Sequence, residues 1–153
     1  VYTEAEINEK LVAPAAGKII PITAVNDQAF SSKSMGDGFA IEPTDGTIYA
    51  PYTGEIIVAF PTGHAYGIRT AAGKEVLIHV GMDTVELNGE GFKMHVKQGD
   101  HVKQGDVLCD ADLAFIQSKG KSTVIPVIFT DGTPVKLNKE GQVVKAKESG
   151  IIA

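Results

Sequence analysis

The sequence predicts an all-β fold, an antiparallel sandwich or barrel-like arrangement carrying short helical turns. Three observations support it. Short apolar runs of strand length recur along the chain. Between them fall 17 glycines and 7 prolines, which end each run in a turn. Helical patterning is scarce. The best helix spans Ala111 to Lys119, with Asp110 or Asp112 as a cap and Gly120 as a terminator, and a weaker turn lies near Asn26 to Ser31.

Taken in order, Val1 to Lys10 are polar and acidic and fit a loose N-terminal segment. From Leu11 the runs begin: Lys18 to Ile22, Phe39 to Pro43, Thr47 to Ala50 and Glu55 to Phe60. Two further runs, around Ala65-Tyr66-Gly67-Ile68 and Glu75-Val76-Leu77-Ile78, are separated by Ala71-Ala72-Gly73-Lys74. A short turn bearing glycine between two such runs predicts a hairpin. Lys93 to Lys97, Asp106 to Cys109 and Thr123 to Phe129 complete the strands. Val96-Lys97-Gln98-Gly99-Asp100 is echoed at once by Val102-Lys103-Gln104-Gly105-Asp106. The period is too short for a solenoid, and each copy reads as a turn feeding an apolar strand.

At 153 residues, with no shift in composition, residues 1–153 read as a single domain. The formal charge of −5 argues against a nucleic-acid surface, which needs clustered Lys and Arg, and favours basic partners. No run reaches the roughly 18–20 apolar residues of a spanning helix. No basic segment followed by an apolar one marks the N-terminus for secretion. The expectation is a soluble, cytoplasmic chain. The lone Cys109 sits in an apolar run, so no internal disulfide is available and a small core residue is the expected role.

The chemistry centres on two histidines. Val76-Leu77-Ile78 is a buried-strand run that delivers His79 to the strand end, where Gly81 lets the backbone turn. His64 lies between the turn Pro61-Thr62-Gly63 and the next strand. The hairpin can bring the two together, although the spacing does not set the register. His95 and His101 fall in polar turn segments and read as surface residues.

The runs Gly36-Asp37-Gly38-Phe39-Ala40-Ile41-Glu42-Pro43, Ala50-Pro51-Tyr52-Thr53-Gly54, Thr62-Gly63-His64-Ala65 and His79-Val80-Gly81-Met82-Asp83-Thr84-Val85-Glu86-Leu87-Asn88-Gly89-Glu90-Gly91-Phe92 carry a resemblance. Gly99-Asp100, Gly105-Asp106 and Lys121-Ser122-Thr123-Val124-Ile125-Pro126-Val127 extend it. In order and spacing, from about Leu11 to Phe129, the chain resembles the glucose-family enzyme IIA of the bacterial phosphoenolpyruvate:sugar phosphotransferase system.

The resemblance implies an antiparallel β-sandwich and a phosphocarrier needing no cofactor or metal. It would take a phosphoryl group from HPr and pass it to the IIB domain of a glucose-type sugar permease. Association with the membrane permease would be peripheral, through its IIB and IIC parts only. By motif match His79 is the phosphorylated nucleophile, His64 the partner that steadies the phosphoryl group, and Thr62 the residue orienting His64. Asp27 and Asp83 match aspartates that flank the site; taken alone they read as solvated turn residues. Phe30, Val85 and Met82 read equally as an apolar patch for partners or as core. Some members of the family are fused to their permease.

Physical chemistry agrees with these roles. An attacking nitrogen must be unprotonated, and imidazole, with an ordinary pKa of about 6.5, is the side chain that allows this near neutrality. A hydrogen bond at the other ring nitrogen would fix the tautomer, and the turn at Gly81 offers a carbonyl. His64 would donate to the phosphoryl oxygens, which hold the charge in a loose transition state. No Gly-Lys-Ser/Thr phosphate loop is present to suit a nucleotide donor.

Two other classes fit parts of the sequence. A zinc hydrolase would use the His79-x-x-x-Asp83 spacing with His64 as third ligand, but the His-x-His pair usual in such enzymes is missing. A biotin or lipoate carrier would explain the Gly-Asp turns, but the lysine in a Met-Lys-Met setting is missing.

Overall fold

The structure, a computed structural model, describes residues 1–153. Eleven strands form two antiparallel sheets, as the sequence predicts. They are β1 (Gly17–Pro21), β2 (Asp37–Pro43), β3 (Thr47–Tyr49), β4 (Gly54–Ala59), β5 (Ala65–Thr70), β6 (Glu75–His79), β7 (Phe92–Met94), β8 (His101–Val102), β9 (Val107–Ala111), β10 (Ile125–Phe129) and β11 (Val143–Val144). The larger sheet runs β11-β1-β2-β10-β6-β5-β4-β8 and the smaller β3-β9-β7. The two-residue strands β8 and β11 do not stand out in the sequence. Each pairs with an edge of the larger sheet, β8 with β4 and β11 with β1, so tertiary pairing creates them rather than local pattern.

Between the sheets lies one core of 26 buried residues. Ile48, Leu108 and Cys109 of the smaller sheet meet Ile19, Phe39, Ile41, Tyr66 and Ile78 of the larger. Cys109 is the core residue expected of it, and burial pushes its thiol up to about 12.

Alternation then builds a second layer. Phe39 and Ile41 of β2, with Val127 and Phe129 of β10, enter the main core, while Ala40 and Ile128 point to the opposite face. There they meet Ile22, Val25, Phe30 and Met82 in a separate buried cluster of six. Strand β10 is therefore covered on both faces and reads as an unbroken apolar run. Each large apolar side chain buried there contributes roughly 1.5–3 kcal/mol. Together they hold the segments that carry Phe30 and Met82 against the sheet.

Helix is confined to short pieces. In α1 (Glu4–Ile7) the Thr3 hydroxyl accepts from the Glu6 amide and the Glu6 carboxylate accepts from the Thr3 amide. Residues 1–10 are also fastened to the body, where Glu9 accepts from the amide and hydroxyl of Thr53 and Lys103 pairs with Glu6. Asp27 caps α2 (Gln28–Ser31) and Asp112 caps α3 (Leu113–Ser118). The echoed Gly-Asp segments are turns in which Asp100 accepts from the Lys97 amide and Asp106 from the Lys103 amide. No helix is long and apolar enough to cross a membrane.

Candidate functional site

Strands β5 and β6 pair with Ala65 opposite His79. One step beyond the ladder, the Val80 amide donates to the His64 carbonyl at 2.6 Å. The register left open by the sequence thus sets the two histidines side by side, with ring centroids 5.1 Å apart and planes at 75°. Ile78 points into the main core, so its neighbour His79 emerges on the opposite face, the face of the six-residue cluster.

Each imidazole is held at Nδ1. His79 Nδ1 lies 2.6 Å from the Gly81 carbonyl oxygen, and a carbonyl only accepts, so Nδ1 carries the proton and Nε2 holds the lone pair. His64 Nδ1 lies 2.6 Å from the Thr62 hydroxyl, which can give or take a proton. Neither Nε2 has a partner in the chain. Tyr66 Oη is the one side-chain polar atom buried without a partner, so both Nε2 atoms reach solvent. This holds even for His64, which is only 2% exposed.

The backbone around Gly81 explains the aim of His79. Gly81 adopts a left-handed φ of +80°, and a Cβ there would stand 2.5 Å from the Thr84 methyl. The Gly81 amide donates to the Val124 carbonyl and the Met82 amide to the Ser122 carbonyl, both at 3.0 Å. Gly63, at φ +75°, turns the chain from β4 into β5 and packs under Phe92 and Met94.

Burial holds both imidazoles below their ordinary range. For His64 the pKa falls to about 4, through burial first and the neighbouring His79 second. Burial lowers His79 as well, opposed by its hydrogen bond to Gly81 and by the carboxylates of Asp27 and Asp83. Both rings are neutral at physiological pH, and the two carboxylates are close enough to favour positive charge on His79.

The site therefore gathers His79, His64, Thr62, Asp27 and Asp83. Phe30 and Met82 fall on the core side of the two readings. Phe30 is 5% exposed and sets its ring against His79, centroids 5.4 Å apart at 62°, while Met82 lies in the same cluster. Val85 is on the surface, half exposed. His95 and His101 lie elsewhere, His95 bonded to Asp110 and His101 to Tyr2. No group of three His, Cys, Asp or Glu side chains is placed to hold a metal ion.

Phe60 is a site residue the sequence does not single out. It is 43% exposed, and its ring meets His64 at 5.1 Å and 77°. A register shift between Ile56 and Val58 precedes it, as β-bulges commonly do where a side chain near a site is re-aimed. Its one sequence signal is an apolar residue standing just before Pro61 at the strand end. Neither histidine lines any of the cavities in the molecule.

The comparisons with known proteins point one way. Residues 9–135 match the family described as phosphoenolpyruvate-dependent sugar phosphotransferase system, EIIA 1. Among solved structures, the chain is similar to glucose permease IIA from Mycoplasma capricolum, at 40% identity and a TM-score of 0.88. The likeness covers 94% of this chain and 94% of that one. The resemblance read from the sequence is borne out by both.

Proposed function

Because the chain belongs to the EIIA 1 family of the phosphoenolpyruvate-dependent sugar phosphotransferase system, and so is a phosphocarrier of sugar uptake, we propose that His79 is the residue that carries the phosphoryl group. One observation supports this most strongly. Two neutral imidazoles stand in contact, each tied at Nδ1, each with Nε2 free toward solvent.

His79 Nε2, with its lone pair outward, attacks phosphorus while the bond from phosphorus to the donor breaks. The ring gains positive character as the new bond forms. The Gly81 carbonyl and the carboxylates of Asp27 and Asp83 compensate that charge, the same influences that oppose burial in setting its proton affinity. The Thr62 hydroxyl donates to His64 Nδ1, which leaves the His64 Nε2–H to donate to the phosphoryl oxygens. A preorganised donor is the main help a protein gives this reaction.

As a family member the chain works with HPr and with sugar permease components. The finer assignment is that HPr phosphorylates His79 and that the IIB domain of a glucose-type permease, reached in the cytoplasm, is the acceptor. The two Nε2 atoms that reach solvent support handing the group from protein to protein. On this reading exposed Val85 and Phe60 supply the apolar centre of the partner surface and Asp27 and Asp83 its acidic rim; Phe60 beside His64 and the two carboxylates near His79 support it. Residues 1–153 then act as a single phosphocarrier domain.

Incubation with phosphoenolpyruvate, enzyme I and HPr should add a single phosphoryl group to the protein by intact mass, and none to His79→Ala. Normal labelling of that variant would overturn the assignment.

A further inference from the structure

Thr84 is one of four buried polar or charged residues and the one with no exposed surface at all. Its hydroxyl donates to the Val80 carbonyl at 2.7 Å. Its methyl fills the place where a side chain on Gly81 would fall. The neighbouring groups account for the rest of the turn. The Val80 amide is spent on the His64 carbonyl and the Gly81 amide on the Val124 carbonyl. The Gly81 carbonyl remains, and it receives His79 Nδ1.

From this accounting we propose that Thr84 is a positioning residue for His79. By holding the Val80 carbonyl, its hydroxyl fixes the Val80–Gly81 peptide, and, with the Met82 amide tied to the Ser122 carbonyl, this keeps the following peptide, which carries the Gly81 carbonyl, against His79 Nδ1. That selects the Nδ1–H tautomer and presents the Nε2 lone pair. Thr84 touches neither histidine ring in this account; it acts through the two peptide planes that meet at Gly81. Without the hydroxyl, the Val80 carbonyl loses its partner in a buried setting, and reorientation of that peptide shifts the Gly81 Cα and, through it, the adjoining peptide that carries the Gly81 carbonyl. The consequence for phosphoryl transfer rests on the reading of His79 as the carrier, whereas the tautomer does not.

The test compares Thr84→Val, which keeps the methyl and loses the donor, with Thr84→Ser, which keeps the donor and loses the methyl. Nitrogen-15 spectra of the imidazoles, recorded without any phosphoryl donor, report the tautomer of His79 and the hydrogen-bonded Nδ1–H proton. Thr84→Val should lose that proton signal and populate the other tautomer, while Thr84→Ser retains the wild-type pattern. With phospho-HPr as donor, Thr84→Val should accept the group about tenfold to a hundredfold more slowly at saturation, the scale for a misaimed reacting group, with KM unchanged. An unchanged His79 spectrum and rate in Thr84→Val would overturn the proposal. Loss of the signal in Thr84→Ser would do so too, even where Thr84→Val fails to fold, because methyl packing rather than the hydroxyl would then set the turn. Since the spectra need no donor, the expected tautomer change supports the positioning role even if wild type takes no phosphoryl group, a result that would instead sink the carrier reading.

Discussion

Lowering the pH from 7 to 5 should unfold this protein more easily, and His64 should account for a definable share. Its imidazole is held at about 4 against an ordinary 6.5, chiefly by burial and then by His79. Above pH 6.5 the ring is neutral in folded and unfolded chains alike, and its stabilising effect is fully present. As the pH falls through 6.5, the unfolded chain takes up a proton that folded His64 refuses, and stability is lost until the pH reaches about 4. Linkage between those two values gives a loss of about 2 kcal/mol at pH 5 and about 3 kcal/mol at pH 4. His79, also lowered, adds a loss of the same sign. Urea unfolding of wild type and His64→Gln at pH 7 and pH 5 isolates the His64 share as the difference between the two losses. At pH 5 the carboxylates with lowered values, such as Asp37 and Asp131, stay ionised and do not confuse the comparison. An equal loss of stability in the variant and wild type would refute this role of His64. So would a His64 ring proton that, followed by NMR, titrates with a midpoint near 6.5.

Two further expectations concern transfer. His64→Gln keeps an amide donor near the phosphoryl oxygens but no imidazole; it should accept from HPr while failing to donate to the IIB domain, as paired single-turnover rates would reveal, and equal loss in both steps would reduce His64 to a structural role. Changing Asp27 and Asp83 together to Lys should slow phosphorylation by HPr most at low ionic strength, because rim charges act mainly on association rate; a stopped-flow salt series showing no change would count against the acidic rim.

The parts of this molecule legible in the sequence are those with local causes. The hairpin of β5 and β6 could be read from a glycine turn between two apolar runs, and Asp27 and Asp112 cap the short helices the sequence suggests. The carbonyl beside His79 could be foreseen because a glycine two residues past a strand end brings its own backbone back toward the side chain. Register was not legible: placing Ala65 opposite His79 depends on which faces the two layers bury. Neither was the segment after Phe129, whose Val143–Val144 pairs with β1 and whose Leu137 bridges Ile152, because scattered apolar residues give no local period. Phe60 escaped notice for a related reason. The bulge that aims it shows only once β4 lies against β5. Thr84 stood in plain view within the motif, but its hydrogen bond to the Val80 carbonyl shows only in the folded turn.

The strand order imposes a sequence of assembly. Strands β5 and β6 are chain neighbours and can pair as soon as Lys74 and its turn close, on the microsecond scale of hairpins. The anchors of the Gly81 turn, the carbonyls of Ser122 and Val124, arrive only with the approach to β10, which must insert between β2 and β6. Non-local pairings of this kind are the slow steps of β folding. A chain that ends at Leu87 therefore contains both histidines and Thr84 but lacks the two carbonyls that anchor the Gly81 turn. The aim of the ring thus depends in part on the approach to a strand that contributes no side chain to the chemistry.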